Sequence, residues 1–148
     1  MNQVLALWAE RLVVAHQGVY YRNGSARALV VTDSVTGGGV SFGEPIDVDA
    51  VLAADAEYTT SVDAVLVEAV LPGSGRVLQG GECDHGSEGY FALLDPDRSL
   101  QWVAFFENSN PFVAITLDGS VATVRSSNGN AVSVRINTTD FAPTELES

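Results

Sequence analysis

The densest set of reactive side chains in this sequence is Gly80-Gly81-Glu82-Cys83-Asp84-His85-Gly86-Ser87-Glu88-Gly89. It holds carboxylates, an imidazole and a thiol within one short stretch. Glu82, Asp84, His85 and Glu88 are the candidate ligands for a divalent cation, since carboxylate oxygen and imidazole nitrogen are the donors such ions take. Cys83 could instead act as a nucleophile if a histidine removed its proton. The spacing matches no calcium loop, zinc motif or nucleophile elbow. On an extended chain Cys83 and His85 face one way and Asp84 the other. The competing reading is a solvated, glycine-rich connector between two strands.

Other candidates are sparser. His16 is expected late in a helix, where a positive charge meets the negative end of the helix dipole. Asn108-Ser109-Asn110-Pro111 is a polar turn between very apolar stretches. Its side chains can cap their own backbone. Flanked by Phe106 and Phe112, Asn108, Ser109 and Asn110 could also present a surface to a partner. Gly37-Gly38-Gly39 lacks the lysine and the strand–loop–helix setting of a phosphate cradle, so a flexible connection across Val35 to Pro45 is expected.

Charge narrows the partner class. Acidic residues outnumber basic ones 19 to 7, for a net charge of −12, and every basic residue is an arginine. Such a surface repels phosphate backbones and anionic membranes. A basic protein partner or a bound cation suits it better. The single cysteine excludes an intrachain disulfide and a multi-cysteine zinc site. With no apolar run near the roughly 20 residues of a membrane helix and no secretory pattern at Met1-Asn2-Gln3, a cytoplasmic location is expected.

The elements that must position these residues can be read from pattern. Asn2 to Gln17 has helical spacing at Leu5, Trp8, Leu12 and Ala15, with Asn2 as cap and Gly18 as terminator. Gly18 to Asp33 reads as a hairpin about Asn23-Gly24. Ile46 to Glu57 has helical composition. Val62–Leu71 and Arg76–Gln79 read as strands about Pro72-Gly73. Five strands follow: Tyr90–Leu94, Leu100–Glu107, Phe112–Leu117, Ser120–Arg125 and Ala131–Ile136. Asp118-Gly119 and Asn128-Gly129 supply the positive φ of tight hairpins. Leu100–Glu107 and Phe112–Leu117 are apolar on both alternating faces, as in strands covered on both sides. Ala131–Ile136 alternates cleanly, as at a sheet edge. The acidic tail 140–148 is expected to fray.

Together these features describe a single α+β domain. A mainly antiparallel, twisted sheet ends in a C-terminal five-strand meander, with the N-terminal helix packed on it. An all-β barrel or sandwich with an added helix is the alternative. The functional expectation is a small acidic, non-enzymatic binding protein. Its composition is that of chains among which immunity and inhibitor proteins of bacterial toxins occur. The alternative is a small metal-dependent enzyme or hydrolase built on 82–88. The apolar first helix also allows self-association.

Overall fold

The computed structural model describes residues 1–32 and 39–144. The chain runs α1 (Gln3–Ala9), β1 (Leu12–Val14), β2 (Gly18–Tyr21), β3 (Ala26–Thr32), β4 (Gly39–Pro45), α2 (Val48–Ala54) and β5 (Thr59–Val70). It continues β6 (Val77–Cys83), β7 (Gly89–Leu94), β8 (Leu100–Phe106), β9 (Phe112–Asp118), β10 (Val121–Ser126) and β11 (Ala131–Arg135). An eight-stranded sheet has the order β1-β5-β6-β7-β8-β2-β3-β4, and a three-stranded sheet the order β11-β10-β9. All the pairings are antiparallel. The large sheet is open, with β1 and β4 at its edges, so it is not a closed barrel.

The centre of the large sheet, β7 and β8, is buried on both faces. On one, Tyr90, Ala92, Val103 and Phe105 meet Val4 of α1 and Val48 of α2, with Trp8, Val51 and Leu52 packed around them. On the other, Phe91, Leu93, Trp102, Ala104 and Phe106 meet Phe112, Ala122, Val124, Val132 and Val134 of the small sheet. Val13 and Val14 of β1 join this first core against Tyr20 and Val103, so the large sheet curls over it with the helices at its side, and the small sheet covers the other face. This arrangement explains why β7 and β8 are apolar in both columns: each column fills a different core. Phe91 anchors the second core, edge-on to Trp102 at 5.8 Å and to Phe112 at 5.1 Å. The Trp102 ring is 1 % exposed, and its indole N–H has no hydrogen-bond partner among the described residues.

Several expectations change. The first helix does not reach Gln17; it stops at Glu10, and Arg11 turns the chain through a left-handed φ of 61°. Leu12, Val13 and Val14 then pair with Ser61, Thr60 and Thr59. β-Branched valines lose side-chain freedom in a helix and pack well on a pleated edge, so the available strand partner wins. Asn2 does cap the helix, accepting from the Leu5 amide at 3.0 Å. Residues 39–45, expected to be loop, form β4 against β3; Gly37 and Gly38 lie outside the described residues.

The five-strand meander divides between layers. β7 and β8 belong to the large sheet, while β9, β10 and β11 form the small one. β9 is therefore an edge strand with one buried face: Phe112 is 0 % exposed and Val113 41 %. Leu100 leaves the face of Trp102 for the helix-side core. The register slips between Leu93, opposite Trp102, and Leu94, opposite Leu100. The tail expected to fray is docked as far as Thr144: Phe141 is 2 % exposed and Pro143 bridges Val134.

Candidate functional site

The glycine-rich stretch is only partly a connector. Gly80, Gly81, Glu82 and Cys83 belong to β6. A Cβ at Gly81 would stand 1.9 Å from the Ala64 carbonyl oxygen. Register shifts in β5 between Val62 and Ala64 and between Val65 and Val67 accompany this close approach, which glycine alone permits. Cys83 is 5 % exposed in the core beneath the helices, a setting in which thiols are inert rather than nucleophilic.

The loop 84–88 is organised from outside. Asp84 accepts from the Ser61 amide at 3.2 Å and from the Ser61 hydroxyl. Glu88 Oε1 accepts from the Thr60 hydroxyl at 2.9 Å and from the His85 amide at 3.4 Å. The two carboxylates thus clamp the start of β5. His85 is exposed and Glu82 half-buried. Among the described residues, no group of three or more His, Cys, Asp or Glu side chains is gathered as a metal would need.

The candidate recognition turn lies against this same loop. The Asn110 amide donates to the Ser87 carbonyl at 2.9 Å. Asn110 adopts φ 63°, and Ser109 Oγ donates to the Asn110 carbonyl at 2.8 Å. A Cβ on Gly89 would lie 2.3 Å from the Asn110 oxygen and 2.7 Å from Ser109 Oγ, so glycine lets the two loops touch. Ser109 is buried, leaving Asn108 exposed and Asn110 half-buried as the presented side chains.

Strand registers bring further loops to this end. Gly18 of β2 stands opposite Phe105, and Thr59 of β5 opposite Val14. Loops 15–17 and 55–58 therefore join 84–88 and 107–110. The Glu107 amide donates to Gln17 Oε1 at 3.1 Å, and the Ala15 amide to the Tyr58 carbonyl at 3.1 Å. The Tyr20 hydroxyl, buried below, donates to the His16 carbonyl. Burial, reinforced by Tyr58 and Glu107, drives its pKa far above the ordinary phenol value. Asp55, Glu57, Asp84 and Glu107 are exposed here and Glu88 is half-buried. These loops contain no arginine.

The opposite end carries arginine pairs. Arg22 and Arg76 approach Asp95 at 2.9 and 3.9 Å, and Arg98 holds Glu68 through two bonds of 2.6 and 3.1 Å. The Gln101 amide group, with Arg22 and Ser99, holds Asp95 below the usual carboxylate range. Arg98, helped by Gln79, does the same for Glu68. Gln79 donates to Glu68 at 3.1 Å and accepts from the buried Tyr90 hydroxyl at 3.2 Å. A polar chain thus leads from the surface into the helix-side core.

A groove of about 750 Å³, which the sequence did not announce, opens beside the β2–β3 turn. Its lining includes Tyr21, Asn23, Phe42, Asp140, Phe141 and Pro143. It is assembled from β2, β4 and the docked tail, so no local motif could have flagged it. Burial and the nearby Asp140 carboxylate raise the Tyr21 pKa, while Arg27 pulls it down.

No protein-family model matches the chain, and no curated protein or solved structure does either. Among the described residues, no helix is long and apolar enough to cross a membrane.

Proposed function

We propose that this chain is a small acidic, non-enzymatic binding protein that engages a more basic protein, in its sharpest form a toxin-neutralising immunity or inhibitor protein. The supporting observation is the separation of charge along the large sheet. Asp55, Glu57, Asp84, Glu88 and Glu107 collect on loops without arginine, whereas Arg22, Arg76 and Arg98 pair with Asp95 and Glu68 at the far end. An acidic end of this kind steers a basic partner, raising the association rate in a salt-sensitive way. The loops sit on paired strands and bond to one another, so the surface is presented in one shape.

The test is capture of partners from the native host at low and high salt. A specific protein should be retained at low salt and bind more slowly to a Glu57→Gln/Glu107→Gln variant. Recovery of no protein partner at either salt would refute the reading.

A further inference from the structure

The β4 edge and the adjoining groove form a second surface. Among the described residues β4 has a strand neighbour on one side only, β3. Its main-chain groups on the outer side can therefore serve as a template for one more strand. Phe42 of β4 is 40 % exposed, and Val30 and Val31 of β3 are each 48 % exposed. The neighbouring groove supplies a pocket of a size that takes one or two side chains, with Tyr21, Phe42 and Phe141 as ring walls and Asp140 at its rim.

The chemistry of the walls selects the occupant. One face of Phe42 is covered by this chain's own Arg27, whose guanidinium carbon lies 4.9 Å from the ring centroid and which is anchored by a 2.9 Å bond to the Gly43 carbonyl, so Tyr21 and Asp140 are the groups left to a guest cation. Phe141 stands edge-on to the same ring at 6.2 Å. Aromatic walls with a carboxylate at the rim suit an alkylammonium or guanidinium group. Along the strand, exposed Glu44 and the following Asp47 and Asp49 outnumber Arg27. The net charge of −12 opposes a second copy at this edge and favours a cationic segment.

We infer that the β4 edge and its groove receive an extended, lysine- or arginine-bearing segment of a partner protein, which adds to the large sheet as a further strand and seats one cationic side chain in the groove beside Asp140. This rests on the reading of the partner as basic, and it assigns that partner a contact distinct from the acidic loop end.

The test is calorimetric titration with an acetylated, amidated heptapeptide of alternating valine and lysine. The parent should bind it at low salt. Asp140→Asn should weaken binding up to about fivefold, the scale of one exposed ion pair. Phe42→Ala should weaken it by about threefold or more through loss of apolar contact along the edge. N-methylation of alternate peptide amides should abolish binding, and the Glu57→Gln/Glu107→Gln variant should leave it unchanged. Unchanged melting temperatures for Asp140→Asn, an exposed position, secure the comparison. If only the loop-end variant weakens binding, the groove assignment is overturned while the basic-partner reading stands. If the peptide does not bind the parent, the groove assignment falls, and the capture experiment judges the wider reading separately. A dimer at micromolar concentration that Phe42→Ala dissolves would make a second copy the occupant and overturn the inference.

Discussion

Raising the pH from 9 to 11 should remove about 3 kcal/mol of folding stability through Tyr20 and Tyr90 alone. Their rings are 2 % and 1 % exposed, and burial is the largest cause holding each phenol protonated well above its unfolded value of 10.0. A group whose folded pKa is raised stabilises the fold below its unfolded pKa, and that stability is lost as pH rises above it. Here the loss begins near pH 10 and continues upward, because only the unfolded chain releases these protons. Each phenol contributes a limiting slope of about 1.4 kcal/mol per pH unit, so the pair approaches about 2.7. Against a typical total of roughly 5–15 kcal/mol, the loss of about 5 kcal/mol reached by pH 12 is a large share of the whole. Urea titrations at intervals from pH 8 to 11.5 measure the slope, and phenolate absorbance reports when the buried rings ionise. The Tyr20→Phe/Tyr90→Phe double variant starts less stable, since the hydrogen bonds to His16 and Gln79 are gone. It should nevertheless show a much shallower alkaline decline. A parent whose stability is flat to pH 11, or a double variant that declines as steeply, would refute the assignment.

Two further substitutions probe the framework. Trp102→Ala should cost about 3–5 kcal/mol, as for a large aromatic deleted from a core; Trp102→Phe should cost less, because it also removes a buried N–H without a partner. A parent-like melting temperature for Trp102→Ala would contradict the packing of the second core. Gly89→Ala should cost about 1–3 kcal/mol by overpacking against Asn110 and Ser109. It should also shift the amide resonances of both 84–88 and 107–110; a change confined to one loop would show that they do not bear on each other.

What could be read beforehand was set by local rules. Gly119 at φ 59° and Gly129 at φ 89° stand where Asp-Gly and Asn-Gly announced turns. The doubly apolar pattern of Leu100–Phe106 announced a strand covered on both faces. Alternation does not record which layer a strand joins, so Phe112–Asp118, nearly as apolar, gave no sign of crossing to a second sheet. The turn at 107–111 that carries it across looks like any polar loop. Helical spacing at Leu12 was likewise overruled by a partner strand far along the chain, Leu12 pairing with Ser61. Of the candidate sites, the loop 84–88 and the turn 108–110 were found separately. Their contact depends on strands folding side by side, and the groove depends on a tail docked by buried Phe141 and by backbone bonds of Ala142 and Thr144 to β11.

The position of β8 also has a temporal consequence. β2, β3 and β4 pair with one another, and so do β5, β6 and β7; β8 joins the two groups through Tyr90↔Phe105 on one side and Gly18↔Phe105 on the other. During synthesis the amino-terminal group must therefore wait, with the flank of β2 open, until residues past Phe106 emerge. Closure of so distant a pair carries a large loop entropy and is slow. Over that interval only the β1–β5 pairing ties the two ribbons together, and the flanks of β2 and β7 stay bare, the state in which chains pair with the wrong neighbour. The growing protein's exposure to misassembly is thus timed by the arrival of a single strand.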